Sequence, residues 1–296
     1  MEPTIVASII GIVATTQIHI SKGLQKYGID ALRPADHRTH PVEHQKRKKL
    51  FYFAGIILNN AAFLWVLIAN LYAPTSYYTS MFGFGLVVLM LFSEHILHEK
   101  HTALQHAGAV IIAAGTILIG ISRSTGDVPA MSMVDFQTVL IFIAIYFPLN
   151  LILLAMALKL KWKKPLGILF GTLTGCAAAM DPIFKGIGQS FGTQIKLIPH
   201  TPMGWFIFLA SFLFGAVAFS FTQIGFYKHA KASTLVAFHN ITLILMPLLL
   251  LKLSLPGFTL TRLQLSGVFV VIIGIGLMFS EATFSILFKV RDRDQH

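Results

Sequence analysis

Gln105-His106-Ala107-Gly108 opens an apolar run in which Gly115 follows seven residues after Gly108, and the second half of the chain repeats this pattern. There, Gln264-Leu265-Ser266-Gly267 opens another apolar run, and Gly274 occupies the position that matches Gly115. A pattern that returns with the same spacing predicts that the chain is built from two related halves.

Two further landmarks recur in the same order. An apolar run ends at Ser21-Lys22-Gly23 in the first half and at Phe184-Lys185-Gly186 in the second. Later in each half, Ala73-Pro74-Thr75-Ser76 corresponds to Ala230-Lys231-Ala232-Ser233. Repeated landmarks of this kind are typical of inverted repeats, which in many transporters enclose a binding site at their interface.

The composition excludes an ordinary soluble globule. Hydrophobic residues make up 55% of the chain and charged residues 12%, with a mean hydropathy of +0.73, whereas soluble domains average about 25% charged residues. A membrane-spanning helix needs roughly 20 mostly apolar residues. The apolar runs therefore predict an all-α integral membrane protein with nine spanning helices, at residues 4–20, 51–71, 77–97, 103–122, 134–158, 166–184, 204–226, 232–251 and 263–279.

The nine predicted helices divide into two repeats of four with one helix between them. Residues 1–127 form the first repeat, residues 128–164 contain linker helix 5, and residues 165–296 form the second repeat with a short tail. Because four spans return the chain to its starting side, the single linker helix inverts the second repeat relative to the first. Residues 28–49 are predicted to be a solvated basic loop within the first repeat.

The basic residues predict the orientation of the helices. Most of the 23 Lys and Arg residues fall on one side of the predicted spans, and such residues are enriched in cytoplasmic loops. Residues 28–49 and the carboxyl-terminal tail are therefore expected in the cytoplasm, with the amino terminus and residues 193–202 outside. The net charge of +11 then reflects contact with anionic lipid headgroups and not a nucleic-acid partner.

Several motifs together resemble a passage of the drug/metabolite transporter superfamily, in which a helix ends in an Ala-Pro-x-Ser turn, the next ends in Glu-Lys, and a glycine-containing helix follows. The residues that carry the resemblance are Ala73-Pro74-Thr75-Ser76, Gly83, Gly85, Glu99-Lys100, Gly108 and Gly115. Nine spans with an external amino terminus are more similar to the NIPA-type magnesium transporters than to the ten-span EamA-type exporters. The basic insertion at residues 28–49, and the lack of a Glu-Lys pair in the second half, depart from the pattern.

Asp181 is the clearest candidate for a functional residue, because an ionisable group inside a membrane span is costly and usually serves a function. The alternative is that Asp181 pairs with Lys185, one turn away, and only anchors the helix end at the outer interface. The corresponding stretch of helix 1 contains Gln17, His19 and Lys22. These three residues, together with Lys185 and Asn60, are further candidates for contacts with the substrate or coupling ion. In four-helix members of the superfamily, helix 1 supplies the carboxylate for substrate and protons. The resemblance therefore implies that His19 and Asp181 contribute to proton coupling or substrate binding.

His239 and Asn240 form a polar pair well inside the eighth predicted span. Such groups need hydrogen-bond partners from another helix or from water in a cavity. They are candidates for substrate or coupling-ion contacts, or for polar contacts that only hold helices together. The expected partners are other amide side chains in the spans, namely Asn59, Asn60, Asn70 and Gln223.

A metal site is a weaker hypothesis. Glu94, His95, His98, Glu99, His101 and His106 cluster in the sequence, but they straddle a predicted cytoplasmic loop and lack a His-Glu-x-x-His motif. A magnesium ion takes several oxygen ligands, and Asp181 is the one carboxylate expected within the membrane unless the last helix continues past Phe279 and brings Glu281 inward. The metal candidates are thus Asp181, Glu94 and His98, with a solvated loop as the favoured interpretation of the cluster.

These features predict a secondary transporter or facilitator that moves a small solute by alternating access between two inverted repeats. No phosphate-binding glycine loop or nucleophile elbow points to an enzyme, and no cofactor is expected. The partners are a small molecule or ion and the lipid bilayer of a bacterial inner membrane or plasma membrane, and the sequence leaves a homodimer open. The alternatives are a NIPA-like magnesium transporter and a non-transporting membrane scaffold or lipid-binding subunit.

Overall fold

A computed structural model describes residues 3–29, 42–96, 98, 101–122, 131–192, 196–228, 230 and 232–289. The described residues form helices and connecting turns, without a β-strand. In chain order the α-helices are α1 (Pro3–Ile29), α2 (Val42–Ala61), α3 (Phe63–Asn70), α4 (Thr75–Thr79), α5 (Phe82–His95), α6 (Ala103–Ile121), α7 (Phe136–Lys159), α8 (Lys163–Ser190), α9 (Pro202–Tyr227), α10 (Ala232–Ser254) and α11 (Arg262–Lys289).

Seven helical stretches in the described residues are long and apolar enough to cross a membrane, which is the character of a multi-pass membrane protein. They are Pro3–Ile29, Gln45–Asn70, Thr75–His95, Phe136–Lys159, Pro165–Ser190, Pro202–Gly225 and Thr234–Ser254. Two further apolar helices, Ala103–Ile119 and Arg262–Met278, are shorter. The described residues of the nine predicted spans therefore lie in helical stretches, but seven of these stretches have the length and composition to cross a membrane.

The helix ends differ from the predicted ones where polar residues continue a helix. The expectation of a loop at residues 28–49 is wrong at both ends, because α1 extends to Ile29 and α2 begins at Val42; residues 30–41, with His37 and His40, lie outside the described residues. Hydropathy marks only the apolar part of such a helix. The second and third predicted spans are also interrupted, because α2 is separate from α3 and α4 from α5.

α6 and α11 pack together through two reciprocal glycine contacts. A Cβ atom at Gly108 would lie 2.6 Å from the carbonyl oxygen of Gly274, and one at Gly274 would lie 2.8 Å from that of Gly108. The same holds for Gly115 and Gly267, at 2.8 and 2.9 Å. Only glycine permits these backbones to approach so closely.

The two helices also begin in the same way. At the start of α6, Thr102 and Gln105 form a capping box, in which each backbone N–H donates to the other residue's side chain at 2.9 and 3.3 Å. Thr261 and Gln264 form the same arrangement at the start of α11, at 2.9 and 3.1 Å. The residues that cap these helices therefore repeat together with the glycines that pack them.

The remaining helices form two groups. α1 packs against α2 and α5, and α8 packs against α9 and α10. Gly171 and Gly175 bring α8 against the backbone of α10 near His239, so the Gly-x-x-x-Gly spacing in α8 serves close packing. α7, the predicted linker, lies against α8 and α10.

Alanine at a helical glycine separates packing from helix propensity in α11. Gly267→Ala is expected to lower the free energy of unfolding by about 1–3 kcal/mol, since its methyl group would meet the α6 backbone. Gly276→Ala is the matched control, because a Cβ there has no heavy atom within 4 Å. It should leave stability unchanged or raise it slightly. Unfolding of the detergent-solubilised protein measures both; equal effects would contradict the packing described here.

Candidate functional site

A cavity of about 1850 Å³ separates the two groups of helices. α1 to α5 line one side and α8 to α10 the other, and Gln105 of α6 and Met278 of α11 also belong to the lining. At one end the lining includes Ile29, Tyr52 and the highly exposed Tyr227, so the cavity opens there. At its other end the lining includes Tyr78, which is buried.

An ion pair between Asp181 and Lys185 lines this cavity. The Lys185 side chain is 1% exposed and the Asp181 side chain 20% exposed, so a solute in the cavity meets the carboxylate before the ammonium. The Lys185 Nζ also lies 4.5 Å from the centroid of the Phe212 ring, a favourable position for a cation. The pairing with Lys185 that the alternative interpretation required is therefore present, and the lysine is buried inside the protein.

Pro182 follows Asp181 inside α8 and changes the backbone next to it. Proline has no N–H, so the carbonyl of Ala178 lacks its normal helical donor, and Ala178 lines the cavity. The carbonyl of Pro182 accepts two bonds from the other group of helices, from Asn70 Nδ2 and from Thr75 Oγ1, each 3.2 Å long. The helix is thus polar on two sides at the position of the carboxylate.

The end of the cavity opposite Tyr227 is closed by buried polar contacts, which we call the polar lock: Asn70, Thr75, Pro182 and Gln189. In addition to the bonds to Pro182, Asn70 donates to Gln189 Oε1 at 3.2 Å and accepts from Thr75 Oγ1 at 3.0 Å. Gln189 Nε2 donates to the carbonyl of Leu67 at 3.1 Å. The lock joins α3 and α4 to α8.

His19 is buried between the two groups of helices and lies outside the cavity lining. Its Nδ1 is 2.8 Å from the carbonyl oxygen of Thr15 and its Nε2 is 3.0 Å from Asn240 Nδ2. These neighbours favour the neutral ring with a proton on Nδ1, so that Nε2 accepts from the amide. Gly85 lies against the ring, where any larger side chain would collide with it.

His239 lines the cavity, but its partner is not one of the expected amides. Its Nδ1 lies 3.1 Å from the hydroxyl oxygen of Thr174 in α8, and the partner of Asn240 is His19. The predicted pairing of this His-Asn pair with Asn59, Asn60, Asn70 or Gln223 is therefore wrong. The reason is that the histidine and the amide point toward different helices.

The other predicted residues fall into two sets. Lys22 and Asn60 line the cavity, with Asn60 Nδ2 donating to the carbonyl of Ile56 in its own helix. Gln17 instead joins helices: its Nε2 donates to the carbonyl of Leu58, and its Oε1 accepts from the Trp65 indole. The expectation that Gln17 contacts a solute is thus not supported by its position.

The metal candidates do not come together. Among the described residues, no three His, Cys, Asp or Glu side chains are arranged to hold a metal ion. Glu94 lies 3.2 Å from His106 in an exposed pair, and His101 is 2.6 Å from the Ser93 hydroxyl. His98 lines the cavity opening, far along the chain from Asp181.

Sequence reasoning overlooked three polar residues that the structure places at the site, namely Gln25, Tyr78 and Gln189. Each is uncharged, so none has the signal that singled out Asp181. A polar residue near the end of an apolar run was the only available sign of Gln189. Comparisons with known protein families, curated proteins and solved structures find no match to this chain.

Proposed function

We propose that the protein is a secondary transporter or facilitator that moves a small solute by alternating access. The observation that carries the proposal is a cavity that is open at one end and closed at the other by the polar lock. Both walls come from separate groups of helices, so a change in their relative position can close one end and open the other. Such a cavity between two helical groups is the feature that alternating access requires.

Nine spans in two inverted repeats of four, joined by α7, are part of this proposal. Two relations of the same kind support it. Adding 159 to Gly108 and Gly115 gives Gly267 and Gly274, and the same shift exchanges the two glycine contacts. It also carries the capping box of α6 onto that of α11. A two-fold axis between antiparallel halves would relate the Gly108–Gly274 contact to the Gly267–Gly115 contact. On this basis we propose that the protein belongs to the drug/metabolite transporter superfamily.

The orientation follows from the basic residues. Lys26 and Lys48 line the open end of the cavity, and basic residues are enriched on the cytoplasmic side. We therefore propose that the cavity opens to the cytoplasm and that the polar lock closes the outer end. The amino terminus is then outside and the carboxyl terminus inside.

Magnesium fits the lining less well than an organic solute. Among the described residues that line the cavity, Asp181 is the one carboxylate, and it is paired with Lys185. A divalent cation would have to displace that lysine and would gain few oxygen ligands. The apolar part of the wall, with Phe63, Phe82 and Phe212, favours a solute with an apolar body.

Flux into liposomes tests the proposed function. The purified protein is reconstituted, and uptake of magnesium, amino acids, organic acids and organic amines is compared with uptake by protein-free liposomes. We expect uptake of at least one organic class, saturable and faster than the background. A membrane scaffold would move no solute of any class. Uptake of magnesium alone would instead support the magnesium transporter.

A further inference from the structure

Several groups that line the cavity can donate a hydrogen bond and have no partner among the described residues. Lys22 has neither a hydrogen bond nor an ion pair with a described residue. Among the buried side-chain atoms without a partner in the described structure, two line the cavity, namely Gln25 Nε2 and Tyr78 Oη. Buried polar groups are normally hydrogen-bonded, so groups that remain unpaired call for an explanation.

Lys22 and Gln25 are placed to act together. They are three residues apart in α1 and therefore neighbours on one face of the helix. Both belong to the cavity wall. An ammonium and an amide N–H on one face of a helix can together bind the oxygens of a carboxylate or phosphate.

The charges of the cavity wall also favour an anionic ligand. The Asp181 charge is met by Lys185, which leaves Lys22 as a cation without a counter-ion among the described lining residues. Lys26 and Lys48 add basic character at the opening. A cleft lined by one sign of charge concentrates ligands of the opposite sign.

Resting on the transport function proposed above, we propose that the solute is an organic anion, with its carboxylate or phosphate on Lys22 and Gln25 and its apolar body against the phenylalanine side of the cavity. Phe63 and Phe212 touch each other edge to face across the two walls, with ring centroids 5.9 Å apart. Both rings line the cavity. They offer an aromatic surface to the body of the solute.

Three compounds of the same size test the charge. The full-length protein in phosphatidylcholine nanodiscs is titrated with 3-phenylpropionate, 3-phenylpropionamide and 3-phenylpropylamine, and binding is measured by calorimetry and by thermal shift. We expect the carboxylate to bind about tenfold or more tightly than the amide, with the amine weakest. Equal binding of the three compounds, or binding of none, would overturn the proposal.

Variants at Lys22 locate the site. Lys22→Gln should weaken phenylpropionate binding about tenfold or more, because it removes the charge, and Lys22→Arg should keep most of the affinity. Lys159→Gln is the matched control, an exposed lysine outside the cavity lining, and should change nothing. The ligand-free Lys22→Gln protein should melt no lower than wild type, since the lysine has no partner to lose; unchanged affinity in that folded variant would refute its role.

Two further measurements ask whether the natural anion is a lipid or a soluble compound, and whether anion binding and transport fail separately. If the natural ligand is a lipid headgroup, phosphatidylglycerol added to the nanodiscs should weaken the binding of phenylpropionate. If the natural ligand is soluble, phosphatidylglycerol should have no effect. Both results are consistent with the anion site. Binding is measured without flux. Anion binding without uptake would contradict the transport function alone, whereas uptake restricted to neutral or cationic solutes would contradict the anion site alone.

Discussion

Asp181→Asn is expected to destabilise the protein by about 3–5 kcal/mol, because it leaves the buried Lys185 ammonium without a counter-ion. It should also reduce flux by more than tenfold and flatten its dependence on pH, since Asp181 is the one carboxylate among the described residues that line the cavity. Thermal unfolding and liposome flux measure the two effects on the same preparations.

A double variant separates stability from transport. Asp181→Asn with Lys185→Met removes both charges and should recover much of the stability, since no buried charge is then left without a counter-ion. Flux should remain low. Glu94→Gln breaks an exposed pair outside the cavity and, as the control, should change stability by less than about 1 kcal/mol. A double variant with wild-type flux would show that Asp181 acts only in folding.

Asn70→Leu is expected to open the polar lock and expose the cavity from the other side. The substitution removes two donated bonds and one accepted bond, and each unsatisfied partner costs about 1–3 kcal/mol. In the orientation and transport cycle proposed above, the state with this end closed should therefore lose stability relative to the state with this end open. In a Cys176→Ser background, Ala178→Cys places a thiol on the cavity wall, and an impermeant thiol reagent reports which side reaches it.

In the protein with the lock intact, we expect labelling of position 178 only from the cytoplasmic side. With Asn70→Leu, labelling from outside should rise several-fold. Asn60→Leu is the matched control, because the Asn60 amide also lines the cavity but donates to its own helix. External labelling of the intact protein would reverse the proposed orientation, and no change with Asn70→Leu would show that the lock does not hold this end closed.

The sequence was sufficient for the helices and for the charged residue, and insufficient for the partners. Asp181 stood out because a carboxylate in an apolar run is rare. Its pairing with Lys185 followed from helical spacing, which is a local rule. The bond between His19 and Asn240 joins residues 221 positions apart, and no local rule predicts a contact of that kind.

Hydropathy failed for a related reason at the helix ends. It reports the apolar part of a helix, so it placed a loop at residues that α1 and α2 continue to occupy. The sequence also did not predict that the uncharged polar residues Gln189 and Tyr78 lie at the site. Such residues are common near the ends of membrane helices, so their presence there is not informative. Their role depends on which helix faces them, which only the packing of the whole chain decides.

The glycine contacts between α6 and α11 should keep the distance between these two helices constant. Backbone atoms touch there directly, so the spacing of the two helices does not depend on how any side chain is turned. If the rest of the protein changes shape during transport, spin labels on the exposed Val110 and Ile272 should report one separation in every state. Distances between labels on opposite walls of the cavity can then be compared with the constant distance between positions 110 and 272.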